Sequence, residues 1–226
     1  EAKRFVLLGT DYVYPRTTNK ILRAFLKSKG VADADIMEDY TPFGHSDYQT
    51  IIAKIKKFAS EGKKTAVVST INGDSNVPFY KELGNAGLKA TDVPVVAFSV
   101  GEEELRGVDA KPLVGHLASW NYFMSLKNPE NAKFTKMYKD WAKKQKLPNA
   151  DKVIAAMAGQ SFKAPSGFVA KMDEKNHHLH KPVFIGEVKA DGQFNVVWKT
   201  PGPVKAAPWS PYIAGNDKKK DEPEAK

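Results

Sequence analysis

The stretch Val67-Val68-Ser69-Thr70-Ile71-Asn72-Gly73-Asp74-Ser75-Asn76-Val77-Pro78-Phe79-Tyr80-Lys81-Glu82-Leu83-Gly84-Asn85-Ala86-Gly87-Leu88 sets a β-branched apolar run against a polar turn and then a helix-patterned segment. Pro78 falls where a first helical turn tolerates it, because the N–H it lacks would have no partner there. Leu83, Ala86 and Leu88 continue the apolar pattern. A strand that ends in a turn and feeds a helix is half of a βα unit.

The same rhythm extends outward on both sides. Apolar strand-like runs at Phe5–Gly9, Ala66–Thr70, Val93–Val100 and Val114–Ser119 are each followed by a turn and a helix-patterned segment or a short substitute for one. This alternation predicts an α/β fold with a mostly parallel sheet flanked by helices. Ser46 with Gln49 three residues on reads as a capping box ahead of Ile51, Ile52 and Ile55, and Thr18 or Asn19 as the cap of Ile21, Leu22, Phe25 and Leu26, a helix closed at Gly30. From Pro165 onward the pattern changes. Phe168–Lys171, and Val183–Val188 with Phe194–Trp198 joined around Asp191-Gly192, read as antiparallel strands, the last two a C-terminal hairpin. Four prolines between 201 and 211 predict an extended tail, and the charged end, 214–226, is expected to be disordered.

Composition bounds the function. The chain of 226 residues is 42% hydrophobic and 27% charged, enough for a sizeable core. With no cysteine, disulfides, thiolate metal ligands and a cysteine nucleophile are excluded. The net charge of +9 belongs to the folded part, because Asp217–Lys226 carries four lysines and four acidic residues. Lysines crowd 54–64 and 127–146. They read as solvated helix faces rather than a nucleic-acid surface, since base stacking needs arginines and interleaved exposed aromatics that these lysines lack. No nucleic-acid partner is expected. The cluster Asn176-His177-His178-Leu179-His180 places His178 and His180 on one strand face, with Asp173 or Glu174 near enough in sequence to complete a zinc site. The spacing matches no helical metal motif, so no metal and no cofactor is expected, and with no G-x-S-x-G elbow or phosphate-binding glycine loop the chain reads as a binding protein rather than an enzyme.

In an open parallel sheet the ligand lies beyond the carboxyl ends of the strands. That selects Asp11–Tyr14, Thr70–Asn76, Ser99–Glu104 and Trp120–Tyr122. Tyrosines offer flat faces with a polar tip, the Thr70 hydroxyl and the amides near Gly73 donate to a carbonyl, and the carboxylates of Asp74 and Glu102 accept N–H bonds. A small neutral amide uses all of these. Each stretch also has a plain structural reading: Tyr12 and Tyr14 packed on a neighbouring loop, Asn72–Ser75 as a turn and helix cap, and Glu102-Glu103-Glu104 as a first-turn acidic cluster favoured by the helix dipole.

Taken in order, TDYVYPRTTNK (10–20), STINGDSNVPFYKEL (69–83), VVAFSVGEEELRG (95–107), GHLASWNYF (115–123), NPENAKF (128–134) and NHHLHKPVFIGEVKADGQFNVVWKTPGPV (176–204) resemble the urea and short-chain amide solute-binding proteins of ABC transporters, within the type I periplasmic binding protein family. The resemblance implies one lobe, the second, of a two-lobed protein that closes on a small amide, with residues 1–213 as the ligand-binding lobe and first-lobe material absent before Glu1 and at a junction near 147–152. It implies ligand contacts from Tyr12, Tyr14 and Thr70, with Asn72, Asp74, Ser99 and Glu102 on loops facing the cleft. It further implies a periplasmic location, an ABC transporter permease as partner, and self-association through the surface left by the missing lobe. An amide-sensing regulatory domain acting through a partner protein is the alternative.

Overall fold

The computed structural model describes residues 1–142, 157–176 and 178–219. Four βα steps and a fifth strand run along the first part: β1 (Arg4–Thr10), α1 (Val13–Ser28), β2 (Ile36–Thr41), α2 (Gln49–Ala59), β3 (Thr65–Thr70), α3 (Asn76–Asn85), β4 (Val95–Ala97), the single-turn α4 (Glu102–Leu105) and β5 (Leu117–Trp120). There follow α5 (Pro129–Ala142), the short strands β6 (Ser161–Lys163), β7 (Val169–Met172) and β8 (Leu179–His180), and the hairpin β9 (Phe184–Val188) and β10 (Phe194–Lys199).

The main sheet has seven strands in the order β10-β9-β5-β4-β3-β1-β2. The pairings β2–β1, β1–β3, β3–β4 and β4–β5 are parallel, with Phe5 opposite Ile36 on one side and Ala66 on the other. Parallel strands covered by helices on both faces read as continuous apolar runs, and β1 and β3 do: Val6, Leu7, Leu8 and Val67 are fully buried. Helix α1 turns Pro15, Asn19 and Leu26 inward at the 3.6-residue period. A second sheet, β6-β7-β8, is antiparallel, with Phe162 opposite Ala170 and Met172 opposite Leu179. The fold is therefore the mixed α/β type, a mostly parallel sheet flanked by helices plus a small antiparallel sheet.

Where a single lobe over 1–213 is expected, the chain divides into two compact units, Glu1–Trp120 with Ile185–Val197, and Asn121–Phe184 with Trp198–Lys226. The junction near 147–152 lies outside the described residues. Within the tail, Asn216–Lys218 forms one 3₁₀ turn, and Lys219 stands 4.2 Å over the Trp209 ring. No helix among the described residues is long and apolar enough to cross a membrane.

Three local readings are corrected. Helix α1 begins at Val13, with Tyr12 in extended conformation before it, so Asn19 is no cap but a buried mid-helix residue. Pro15 falls in the first turn, where its missing N–H costs nothing. At α2 the Ser46–Gln49 box does not form, and Asp47 Oδ1 accepts the Gln49 N–H at 3.2 Å instead. The strand β2 escaped the reading because it is an edge strand: Glu38, Asp39 and Tyr40 interrupt its apolar pattern, as charges on a sheet edge do.

Candidate functional site

The carboxyl ends of β1, β2, β3 and β4 are tied together by backbone and short polar side chains. The Asp11 N–H donates to the Thr41 carbonyl at 2.7 Å, joining β1 to β2. Thr10 Oγ1 accepts the Asn72 N–H at 3.0 Å, joining β1 to the turn after β3. The buried Asn76 then spans two loops, its Nδ2 donating to the carbonyls of Ile71, Gly73 and Ser99 at 3.1, 3.2 and 3.5 Å. A loop rim held this way is positioned by the sheet rather than by its own sequence.

On this rim sit Tyr12, Tyr14 and Ser99. The tyrosine ring centroids are 6.1 Å apart. The Tyr14 hydroxyl donates toward the Phe98 carbonyl and accepts from Ser99 Oγ, both at 3.5 Å, which reaches from α1 to the end of β4. Burial, with the adjacent Tyr14, pushes the Tyr12 phenol above its ordinary pKa. Asn72 lies on the turn after β3, its Nδ2 donating to the Thr70 carbonyl at 2.9 Å, and Asp74 is exposed on the 3₁₀ turn Gly73–Ser75. Both tyrosines are half-buried, which leaves ring faces open to solvent.

Two predicted residues lie elsewhere. Thr70 is fully buried beneath the rim, its hydroxyl directed at the Leu8 carbonyl and at Asn19 Oδ1, both 3.3 Å away. It does not share a hollow with the tyrosines, because the strand pleat turns its side chain under α1. Gly9 makes that possible: a Cβ there would stand 2.5 Å from Thr70 Oγ1 and 2.7 Å from Pro15 Cβ. Glu102, 6% exposed, borders a recess of about 310 Å³ with Arg106, Asp109 and the β9–β10 turn at Asp191, which neither tyrosine lines. The acidic triple contributes a cap instead, Glu104 Oε2 accepting the Gly101 N–H at 2.8 Å. Of the fourth stretch, Trp120 ends β5, while Tyr122 belongs to the second unit and bonds Asn131 Oδ1 at 2.7 Å.

Two further groups border the rim. Phe43, after β2, packs on Tyr12 with centroids 4.8 Å apart while remaining 65% exposed. Its loop follows β2, whose Glu38 and Asp39 conceal the strand in the apolar pattern of the sequence. Arg16 is engaged by Asp11 Oδ1 at 2.7 Å and stands 4.0 Å over the Tyr40 ring, and this bond holds the Asp11 carboxyl below its usual pKa. Burial, with the Glu38 carboxylate, raises the Tyr40 phenol to about 12.

In the histidine cluster, His177 lies outside the described residues. His180 has both ring nitrogens committed, Nε2 to Asp173 Oδ2 at 3.1 Å and Nδ1 accepting the Ala206 N–H at 3.1 Å. Among the described residues no three acidic or histidine side chains are grouped to hold a metal ion.

Solved structures similar to this chain include a solute-binding protein of an ABC transporter from Rhodopseudomonas palustris HaA2 in complex with p-hydroxybenzoic acid, at 19% identity and a TM-score of 0.71, covering 90% of this chain and 61% of that one. An amino acid ABC transporter substrate-binding protein from Pseudomonas fluorescens Pf-5 aligns at 16% identity and a TM-score of 0.70, covering 91% and 61%. A solute-binding protein from R. palustris in complex with benzoate aligns at 20% and 0.67, covering 92% and 61%. At these identities the likeness is one of fold. The chain spans about three fifths of the length of these proteins. A curated relative, limonene hydroxylase of Geobacillus stearothermophilus, is 29% identical over 123 residues, covering 44% of this chain and 22% of that protein. The family described as periplasmic binding protein domain matches residues 1–153 and 148–215. With nearly the whole sequence matched, the chain belongs to the periplasmic binding protein domain family.

Proposed function

We propose that this chain binds a small neutral amide, urea or a short-chain amide, non-covalently at the strand-end rim, as the solute-binding part of an ABC transporter working in the periplasm with a permease. The observation that carries the reading is the meeting of Tyr12, Tyr14 and Ser99 where β1 and β4 end, since it sets flat faces and hydroxyls side by side. Asn72 and Asp74 extend the set of donors and acceptors along the next turn, and Thr70 acts from beneath by fixing β1 against α1. Binding and release need no covalent step, so no catalytic residue is assigned.

A second reading, an aromatic carboxylate, has the benzoate complexes of similar folds in its favour. The rim argues for the neutral ligand, because the cation nearest it in sequence, Arg16, is already held by Asp11. An amide-sensing regulator would use the same rim and differ by a stable partner protein.

Calorimetry with urea, acetamide and benzoate tests these readings. A ligand of about four heavy atoms reaches about −6 kcal/mol at the ceiling of about −1.5 kcal/mol per atom, a Kd of about 40 μM. The half-open rim leaves affinity for urea weaker than that. Benzoate binding in preference to both amides overturns the amide reading, and submicromolar urea affinity overturns the view that the ligand is covered on one side.

A further inference from the structure

We infer that Phe43 is a specificity-determining residue of the rim, forming its apolar end and favouring amides that carry a flat apolar substituent over urea; this rests on the amide reading above. Phe43 occupies the tip of a tight turn. The His45 N–H donates to the Pro42 carbonyl at 3.3 Å, and Gly44 takes a φ of 72°, so Phe43 and Gly44 are the two central residues of a turn whose second position requires the left-handed region. The turn is anchored at the foot, where Asp11 bonds the Thr41 carbonyl, and behind, where the His45 ring packs on the buried Tyr48 with centroids 4.9 Å apart. A phenyl ring 65% exposed on an anchored turn is held out by the backbone.

Tyr12 is the neighbour shared by Phe43 and Tyr14, at 4.8 and 6.1 Å between centroids. The group is polar at Tyr14, with its hydroxyl on Ser99, and apolar at Phe43, which has no hydrogen-bonding atom in its side chain. A flat solute with the same asymmetry, an amide head and an alkyl or aryl body, complements both ends. Urea presents polar groups on every edge and gains nothing at Phe43.

Titration of the full chain, carbon-13-labelled at Phe and Tyr rings, with urea, acetamide and benzamide by NMR provides the test, alongside the variants Phe43→Ala and Phe43→Leu. Benzamide is expected to shift the Phe43, Tyr12 and Tyr14 rings and to lose about three- to tenfold in affinity for Phe43→Ala, the worth of one ring contact, while urea affinity is unchanged. If Phe43→Ala fails to fold, Phe43→Leu, which keeps apolar bulk without the ring, carries the comparison with a loss of about threefold. Equal losses for urea and benzamide, or a Phe43 ring that stays still while both tyrosines move, overturn this inference and leave the amide reading standing. Tyrosine rings unmoved by all three solutes overturn both.

Discussion

At the level of single residues, Gly9, Pro15, Asn19 and Thr70 fit closely at the end of β1. Gly9→Ala puts a Cβ 2.5 Å from Thr70 Oγ1 and is expected to cost about 1–3 kcal/mol of stability, measured by denaturant unfolding. Thr70→Val is close in shape but leaves the Leu8 carbonyl and Asn19 Oδ1 without their hydroxyl donor, a loss of about 1–3 kcal/mol. Because that hydroxyl is buried, amide affinity should survive the change. A Thr70→Val protein of undiminished stability that no longer binds amide would return Thr70 to direct ligand contact. The residue types at the rim were legible in sequence; that Thr70 turns inward while Tyr14 reaches Ser99 was not, since strand pleat and helix start decide it together.

Among the elements, α1 shows how much a helix end specifies. The Gly30 N–H bonds the Lys27 carbonyl at 3.0 Å and the Val31 N–H bonds the Leu26 carbonyl at 3.1 Å, with Gly30 at a φ of 84°. This is the Schellman arrangement, and Val31 beyond it packs on the Leu7–Leu26–Ile36 cluster. Gly30→Ala meets open space, so its cost is the left-handed backbone alone, about 1–2 kcal/mol by thermal unfolding. The C-terminal glycine was readable because only glycine takes that conformation freely. The N-terminus was not, because no side chain caps it, and a polar Asn19 inside the helix mimics a cap until the buried Thr70 beneath it is known.

For the whole molecule, the stability of the main sheet is coupled to pH through His116. The ring is fully buried, Nδ1 accepts the Val95 N–H at 3.0 Å, and Nε2 turns toward the Leu88 backbone without closing a well-formed hydrogen bond. Burial lowers its pKa from 6.5 to about 4, against a smaller opposing effect of Leu88. The unfolded chain therefore takes up the proton first. Above pH 6.5 neither state is charged and the ring adds no slope; as pH falls from about 6.5 to about 4, stability declines by roughly 3 kcal/mol in all. His116→Gln retains an acceptor for Val95 and should flatten that part of the stability profile, followed by unfolding at successive pH values. A slope unchanged in the variant assigns it to the carboxylates. The sequence by itself determined the βα alternation and the mostly parallel sheet, because hydrophobic period and turn chemistry are local. Only the tertiary structure decided which of the strand-end side chains share the rim, the inward turn of Thr70, the separate recess at Glu102 and the exposure of Phe43, because those depend on contacts between residues as far apart in the chain as Tyr14 and Ser99.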